Sequence, residues 1–138
     1  LIWKTDFSGC GEANMKHILH LPYPPSINNY WIASGNRRFV SKRGKDFKLA
    51  VQEYVATHQL ESFGGGMVNV DIVIRPRDAR LMDIDNCIKP VLDALQDAGV
   101  FDNDKQVSTV CCHRGLVMKG GGGCIVVVTE AKDVPPEP

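Results

Sequence analysis

The sequence predicts a single α+β domain, a mixed β-sheet with two main helices packed on it. Three observations carry that expectation. The chain has 138 residues, the length of one domain and enough to bury about two-thirds of the surface its unfolded form exposes. Short apolar or alternating segments are interrupted by two segments of helical period. Glycine and proline clusters punctuate the boundaries between them. The domain is expected to occupy residues 16–131. Residues 1–15 show neither period and read as a leader, disordered or foreign to the natural chain, and residues 132–138 as a disordered tail.

The elements follow in order. An apolar run from His17 to Leu21 ends in "PYPPS", whose three prolines halt a ladder or a helix, giving a strand and then a rigid loop. "NNYWIASGNRRFVS" holds two short β-prone pieces around Ser34-Gly35-Asn36, a hairpin. Ser41 can cap a helix in which Phe47, Leu49, Ala50, Tyr54 and Val55 form the apolar side while Lys42, Arg43, Lys45 and Lys48 point elsewhere, ending near residues 58–60. After Gly64-Gly65-Gly66, "MVNVDIVIRP" alternates as a strand until Pro76 closes it. Ile84, Ile88, Val91, Leu92 and Leu95 then make one buried helical stripe. Pro90 requires the regular helix to begin near Asp85 or Asn86, and Gly99 ends it. "QVSTVCCHRGLVM" and "CIVVVTE", joined by the glycine run 120–123, are expected to form an antiparallel hairpin.

Hydrophobic content of 43% and charged content of 23% fit a soluble protein, and no apolar run approaches the roughly 20 residues that span a bilayer. A cytoplasmic location is expected. Five cysteines without a disulfide-scaffold rhythm read as reduced thiols. Sixteen basic and sixteen acidic residues give zero net charge, which argues against a nonspecific nucleic-acid binder. The distribution is uneven, however. Arg37, Arg38, Lys42, Arg43, Lys45 and Lys48 oppose only Asp46, and Arg75, Arg77 and Arg80 oppose only Asp78.

Between these blocks and the last strands lie six aspartates, in residues 79–107. Asp93 and Asp97 are placed on the solvated side of the helix, opposite its stripe. Asp83, Asp85 and Asn86 gather at the helix start, where one cap explains one aspartate but not the group. If residues 83–85 are extended, Asp83 and Asp85 share a face. Two such carboxylates repel unless a cation lies between them, and hard oxygen ligands suit Mg²⁺. Asp102 and Asp104 lie beyond the helix's far end, about 20 Å away. A site joining Asp83, Asp85 and Asp104 therefore requires the loop after Phe101 to fold back, or the next strand to run alongside. A calcium hand is excluded, because Ile88 stands where glycine is needed and the closing glutamate is missing. Lys89 reads equally as a salt-bridge partner of a neighbouring acid or as an ammonium facing a scissile phosphate.

"LPYPPSINNYW", a basic helix, "DIDNCIKPVLDAL" and "AGVFDNDKQV" together resemble the RusA family of Holliday junction resolvases, over roughly His17 to Glu130. The resemblance implies a RusA-like fold and a Mg²⁺-dependent homodimer, with Mn²⁺ as a substitute, that nicks two opposed strands of a four-way DNA junction. It implies that Asp83, Asp85 and Asp104 bind metal and that Lys89 is the functional lysine, with Asp102 ranked below Asp104. The cations of the two basic blocks, Arg37, Arg38, Lys42, Arg43, Lys45, Lys48, Arg75, Arg77 and Arg80, would then grip DNA backbones. Asn28, Asn29 and Tyr30 match the family's proline-loop motif without a stated role. The alternatives are a non-cleaving module for branched DNA and a Mg²⁺ nuclease acting on flaps or forks. Cys111, Cys112, His113 and Cys124 lack zinc-ligand spacing and read as ordinary thiols and a hairpin histidine. His17, His20 and His58 read as structural or exposed.

Overall fold

The computed structural model describes residues 15–131; the expectations for residues 1–14 and 132–138 lie outside that span. The elements are β1 (Lys16–Leu21), α1 (Ile27–Tyr30), β2 (Trp31–Ser34), β3 (Arg37–Val40), α2 (Lys42–Thr57), β4 (Val68–Arg75), a 3₁₀ turn (Ile84–Cys87), α3 (Ile88–Asp97), a second 3₁₀ turn (Asp104–Gln106), β5 (Val107–Arg114) and β6 (Gly123–Glu130). The four-stranded sheet has the order β1-β6-β4-β5, and β2 pairs with β3 in a separate hairpin. This is the expected α+β architecture. Among the described residues no helix is long and apolar enough to cross a membrane.

The sheet corrects one pairing. The last two strands do not form a hairpin: β6 pairs with β1 and β4, both antiparallel, while β5 pairs with the other edge of β4 in parallel. The segment between them does not turn tightly but crosses the end of β4, where Gly115 N–H donates to Ile74 O at 2.7 Å and Met118 N–H to Pro76 O at 2.8 Å. Composition explains the order. Alternate residues of β4 are buried, and β6 buries Cys124, Val126, Val127 and Val128, so both suit the interior of the sheet, whereas β5 exposes Ser108, Thr109, His113 and Arg114 and suits an edge. Parallel pairing needs a crossover of a dozen or more residues, which residues 76–106 supply by way of α3. That crossover lays the acidic segment across the sheet.

One face of the sheet, with Leu19, Leu21, Val70, Ile72 and Val126, packs on Phe47 and Val51 of α2 and on Val91, Ala94 and Leu95 of α3. Ser41 caps α2 as expected, its Oγ accepting from Gly44 N–H at 3.1 Å. Leu49, assigned to the apolar side, is 53% exposed. It stands about 200° around the helix from Phe47, and Val51 fills the core position instead. The one-turn helix α1, capped by Ser26, lay inside the predicted loop and hairpin. It drives Tyr30 fully into the interior.

Gly44 is the hinge of that packing. A Cβ there would lie 2.6 Å from Val40 Cγ1 and 2.9 Å from the Tyr30 ring. Gly→Ala inside a helix ordinarily stabilises by about 1 kcal/mol. Here overpacking reverses the sign, and Gly44→Ala is expected to lower stability in urea unfolding by about 1–3 kcal/mol.

A second correction concerns Asp93 and Lys48. Asp93 and Asp97 were placed on a solvated face and Lys48 away from the core; Asp97 is exposed as expected, but α2 and α3 pack side by side, so Asp93 and Lys48 meet between the helices. Lys48 Nζ lies 3.2 Å from Asp93 and 3.0 Å from Asp97, and its side chain is only 18% exposed. Tyr30 O–H donates to Asp93. Burial alone would lower the Lys48 pKa, but hydrogen bonds to Asp97 and Asp93 outweigh it and raise the pKa above the ordinary lysine value. Burial, then the bond to Asp93, pushes the Tyr30 phenol up as well.

Candidate active site

Asp83 ends an extended stretch, with φ −82° and ψ 110°. Asp85 already lies inside the 3₁₀ turn, closed by Asn86 N–H donating to Asp83 O at 3.2 Å. The two therefore do not share a face by strand alternation. Asp83 makes no side-chain cap to the turn, and neither does Cys87, the residue preceding α3. Both carboxylates are exposed, and among the described residues neither accepts a hydrogen bond or an ion pair. Capping thus leaves both acids unused.

Asp104 does return along α3. Val100 and Phe101, 1% and 0% exposed, anchor the chain just past the helix. Asn103 then caps the second 3₁₀ turn in a capping box with Gln106. The buried Gln106 donates from Nε2 to Gly64 O at 2.7 Å and to Gly66 O at 2.5 Å. Asp104 N–H donates to Gln96 Oε1 at 2.8 Å, and the Asp104 carboxylate accepts from Lys89 Nζ. Asp102 stays exposed, bonded only through its backbone to Gly64 O at 3.0 Å. The second of the two alternative routes is present as well, because β5 runs beside the acid turn, with Cys112 Sγ–H directed at Ile84 O at 3.6 Å.

The site thus places Asp83 and Asp85 on one turn, Lys89 in the first turn of α3, and Asp104 against Lys89. Among the described residues no three acidic, histidine or thiol groups converge into a closed ligand set. The donor chemistry still fits a hard divalent cation. It offers three carboxylates, two of them without a protein partner among the described residues and the third held by a flexible ammonium. The roles of Gln96 and Gln106 were not legible, although Gln106 stands within the quoted stretch "AGVFDNDKQV".

The basic residues divide. Arg37 and Arg38 are exposed on the β2–β3 hairpin, with the Arg38 guanidinium 5.0 Å from the Trp31 ring centroid. Arg43 and Arg77 line one groove of about 500 Å³ with Tyr23, Asn29 and Phe47, and Arg77 stacks over Tyr23 at 5.1 Å. Lys45 is exposed and Arg75 half-buried. Lys42 pairs with Asp46 at 3.1 Å and Arg80 with Asp78 at 2.8 Å. Hydrogen bonds from Arg80 hold the Asp78 carboxyl down at about 2. Asn28 and Asn29 face solvent, whereas Tyr30 belongs to the core.

The thiols are free: Cys87 and Cys124 are buried, Cys111 and Cys112 half-buried; Cys10 lies outside the described residues. Burial, with Cys112 and Asp85 nearby, raises the Cys87 thiol to about 11, so it is an inert packing group. His17 and His58 bond to main-chain carbonyls of Glu61 and Tyr54 at 2.7 and 3.0 Å.

Comparison with known proteins shows the family. Residues 22–128 match the family model described as Endodeoxyribonuclease RusA. A crossover junction endodeoxyribonuclease of Enterobacteria phage HK97 is 33% identical over 101 residues, 73% of this chain and 84% of that protein. The Escherichia coli K12 protein of the same name is 33% identical over 105 residues, covering 76% and 88%. That of Enterobacteria phage 82 is 32% identical over 108 residues, covering 78% and 89%. The matched span runs from the proline loop into β6 and includes both acid segments, and the chain belongs to the RusA family of endodeoxyribonucleases.

Proposed function

We propose that this protein resolves four-way DNA junctions by hydrolysing one phosphodiester in each of two opposed strands, as a homodimer that uses Mg²⁺ or Mn²⁺. The observation that carries the reading is the return of Asp104 to Lys89, beside a turn whose two aspartates serve no capping role. Asp83, Asp85 and Asp104 are the residues that would hold the cation. A bound divalent ion supplies a water acidic enough to attack at neutral pH and offsets phosphate charge. In each hydrolysis water adds to phosphorus and one P–O ester bond breaks, leaving a phosphate monoester and a hydroxyl. Lys89 faces the charge that develops on the phosphate. Gln96 fixes the backbone of Asp104, and Gln106 fixes the loop behind it. The relatives come from phages and from Escherichia coli, and in a host of that kind, which has no nucleus, the reaction would take place in the cytoplasm.

The test is incubation with a synthetic four-way junction and with flap, fork and linear duplexes, each with Mg²⁺ and with chelator. Paired, symmetric, Mg²⁺-dependent nicks in the junction are expected. Binding without cutting would favour a recognition module, and cutting of flaps or forks alone a different nuclease.

Exposed Arg43 and inward-facing Lys48 give a further prediction. Each phosphate contact contributes about 0.9 to the slope of log affinity against log salt. Arg43→Gln is expected to flatten that slope for junction binding by about one such contact, whereas Lys48→Gln leaves the slope unchanged and lowers the melting temperature. Fluorescence anisotropy across a salt series and thermal unfolding check both.

A further inference from the structure

Residues 76–83 leave the sheet without regular structure, yet they carry Asp83, and a functional carboxylate must be held to within about 0.5 Å. Three side chains fasten this segment. Arg114 Nη2 donates to Met82 O at 2.6 Å. Cys112 Sγ–H points to Ile84 O at 3.6 Å. Tyr23 O–H donates to Met82 Sδ at 2.7 Å. Arg114 and Cys112 are two residues apart on β5, aligned with Ile74 and Ile72 of β4, so their side chains leave the same face of the strand. The carbonyls they reach are also two residues apart, and Asp83 lies between them.

We propose that Arg114 is a positioning residue for Asp83, acting through the Met82 carbonyl rather than on the substrate. Of the three fasteners it is the strongest, since a charged donor makes a hydrogen bond about twice as strong as a neutral one, while a thiol donates weakly and a thioether accepts weakly. β5 also supplies what a loop cannot, because its parallel ladder with β4 fixes the height of Arg114 against the sheet. Tyr23 brings the proline loop to the same residue, which gives "PYPP" a place in the site. The inference rests on the reading of Asp83 as a cation ligand.

The test is Mn²⁺ binding to the full chain without DNA, by isothermal titration and by the electron paramagnetic resonance signal of free Mn²⁺. Loss of a residue that orients a ligand weakens metal affinity by about 10–100-fold. Arg114→Ala is expected to show that loss while its affinity for a junction in chelator, and the salt dependence of that affinity, stay at wild-type values. Arg114→Lys, which returns a charged donor, should recover most of the Mn²⁺ affinity. Should Arg114→Ala fail to fold, Arg114→Met keeps the apolar stem and removes the donor. Unchanged Mn²⁺ affinity in the alanine or methionine variant would overturn the inference alone. So would a loss confined to junction affinity with a flatter salt slope, which would make Arg114 a phosphate contact. A wild-type chain that binds no Mn²⁺ would instead overturn the cation site itself.

Discussion

Asp85→Asn is expected to slow junction cleavage by about a thousandfold, equivalent to about 4 kcal/mol of activation free energy, while junction affinity in chelator stays within about threefold. The size of the effect follows from charge. Asparagine keeps an oxygen of the same reach but removes the negative charge that would hold a divalent ion, and it is the ion's own positive charge that lowers the pKa of bound water. The selectivity follows from the structure: the Asp85 side chain is exposed, caps nothing and has no partner among the described residues. Only the small favourable interaction of a negative charge with the helix start, below about 1 kcal/mol, is lost with the charge. Single-turnover cleavage, gel-shift binding and thermal unfolding of one preparation separate these quantities. Cutting at the wild-type rate would remove Asp85 from the cation site.

Phe101→Ala has the largest expected effect on stability. The side chain is fully buried between the end of α3 and the return loop. Its removal deletes apolar contact and leaves a cavity, together about 3–5 kcal/mol, or roughly 10–20 °C in melting temperature for a domain of this size. The neighbouring backbone shows what else depends on it. Val100 N–H bonds to Leu95 O at 3.0 Å, Phe63 N–H to Val100 O at 2.8 Å and Asp102 N–H to Gly64 O at 3.0 Å. These bonds set the direction from which Asp104 approaches Lys89. Cleavage measured well below the melting temperature is therefore expected to fall as well, since a loosened loop presents Asp104 less often. Calorimetry and single-turnover rates on the same variant test both parts.

Where local chemistry decides structure, the sequence was a sufficient guide. Ser41 capping α2, the alternation of β4, the turn at Gly35-Asn36 and the stop at Gly99 each depend on residues within a few positions. Where structure depends on a distant partner, it was not. Nothing in "CIVVVTE" says that β4 lies between it and β5; that outcome follows from competition among strands for the buried centre of the sheet. Asp93 looks like part of a solvated face until α2 brings Lys48 against it and Tyr30 donates to it, while its neighbour Asp97 stays exposed. Tyr30 belonged to a proline-loop motif whose role the sequence left open, and the one-turn helix that ends on it turns it inward. In the acid site, the cluster at Asp83 and Asp85 was visible as a run of charges that capping could not absorb. The return of Asp104 was legible only as a geometric requirement. Of the residues that meet it, Phe101 and Gln106 stand within the stretch that carries the resemblance but showed no sign of this role, and Gln96 carries no distinguishing pattern.

The most direct test is anomalous diffraction from crystals soaked in Mn²⁺. Clustered carboxylates that stay ionised together do so because a divalent cation neutralises them. An anomalous peak bound by oxygens of Asp83, Asp85 and Asp104 is the expected result. A map with no peak at that turn, and with the Asp104 carboxylate still paired to Lys89 at saturating Mn²⁺, would contradict the assignment of these three acids as the metal site.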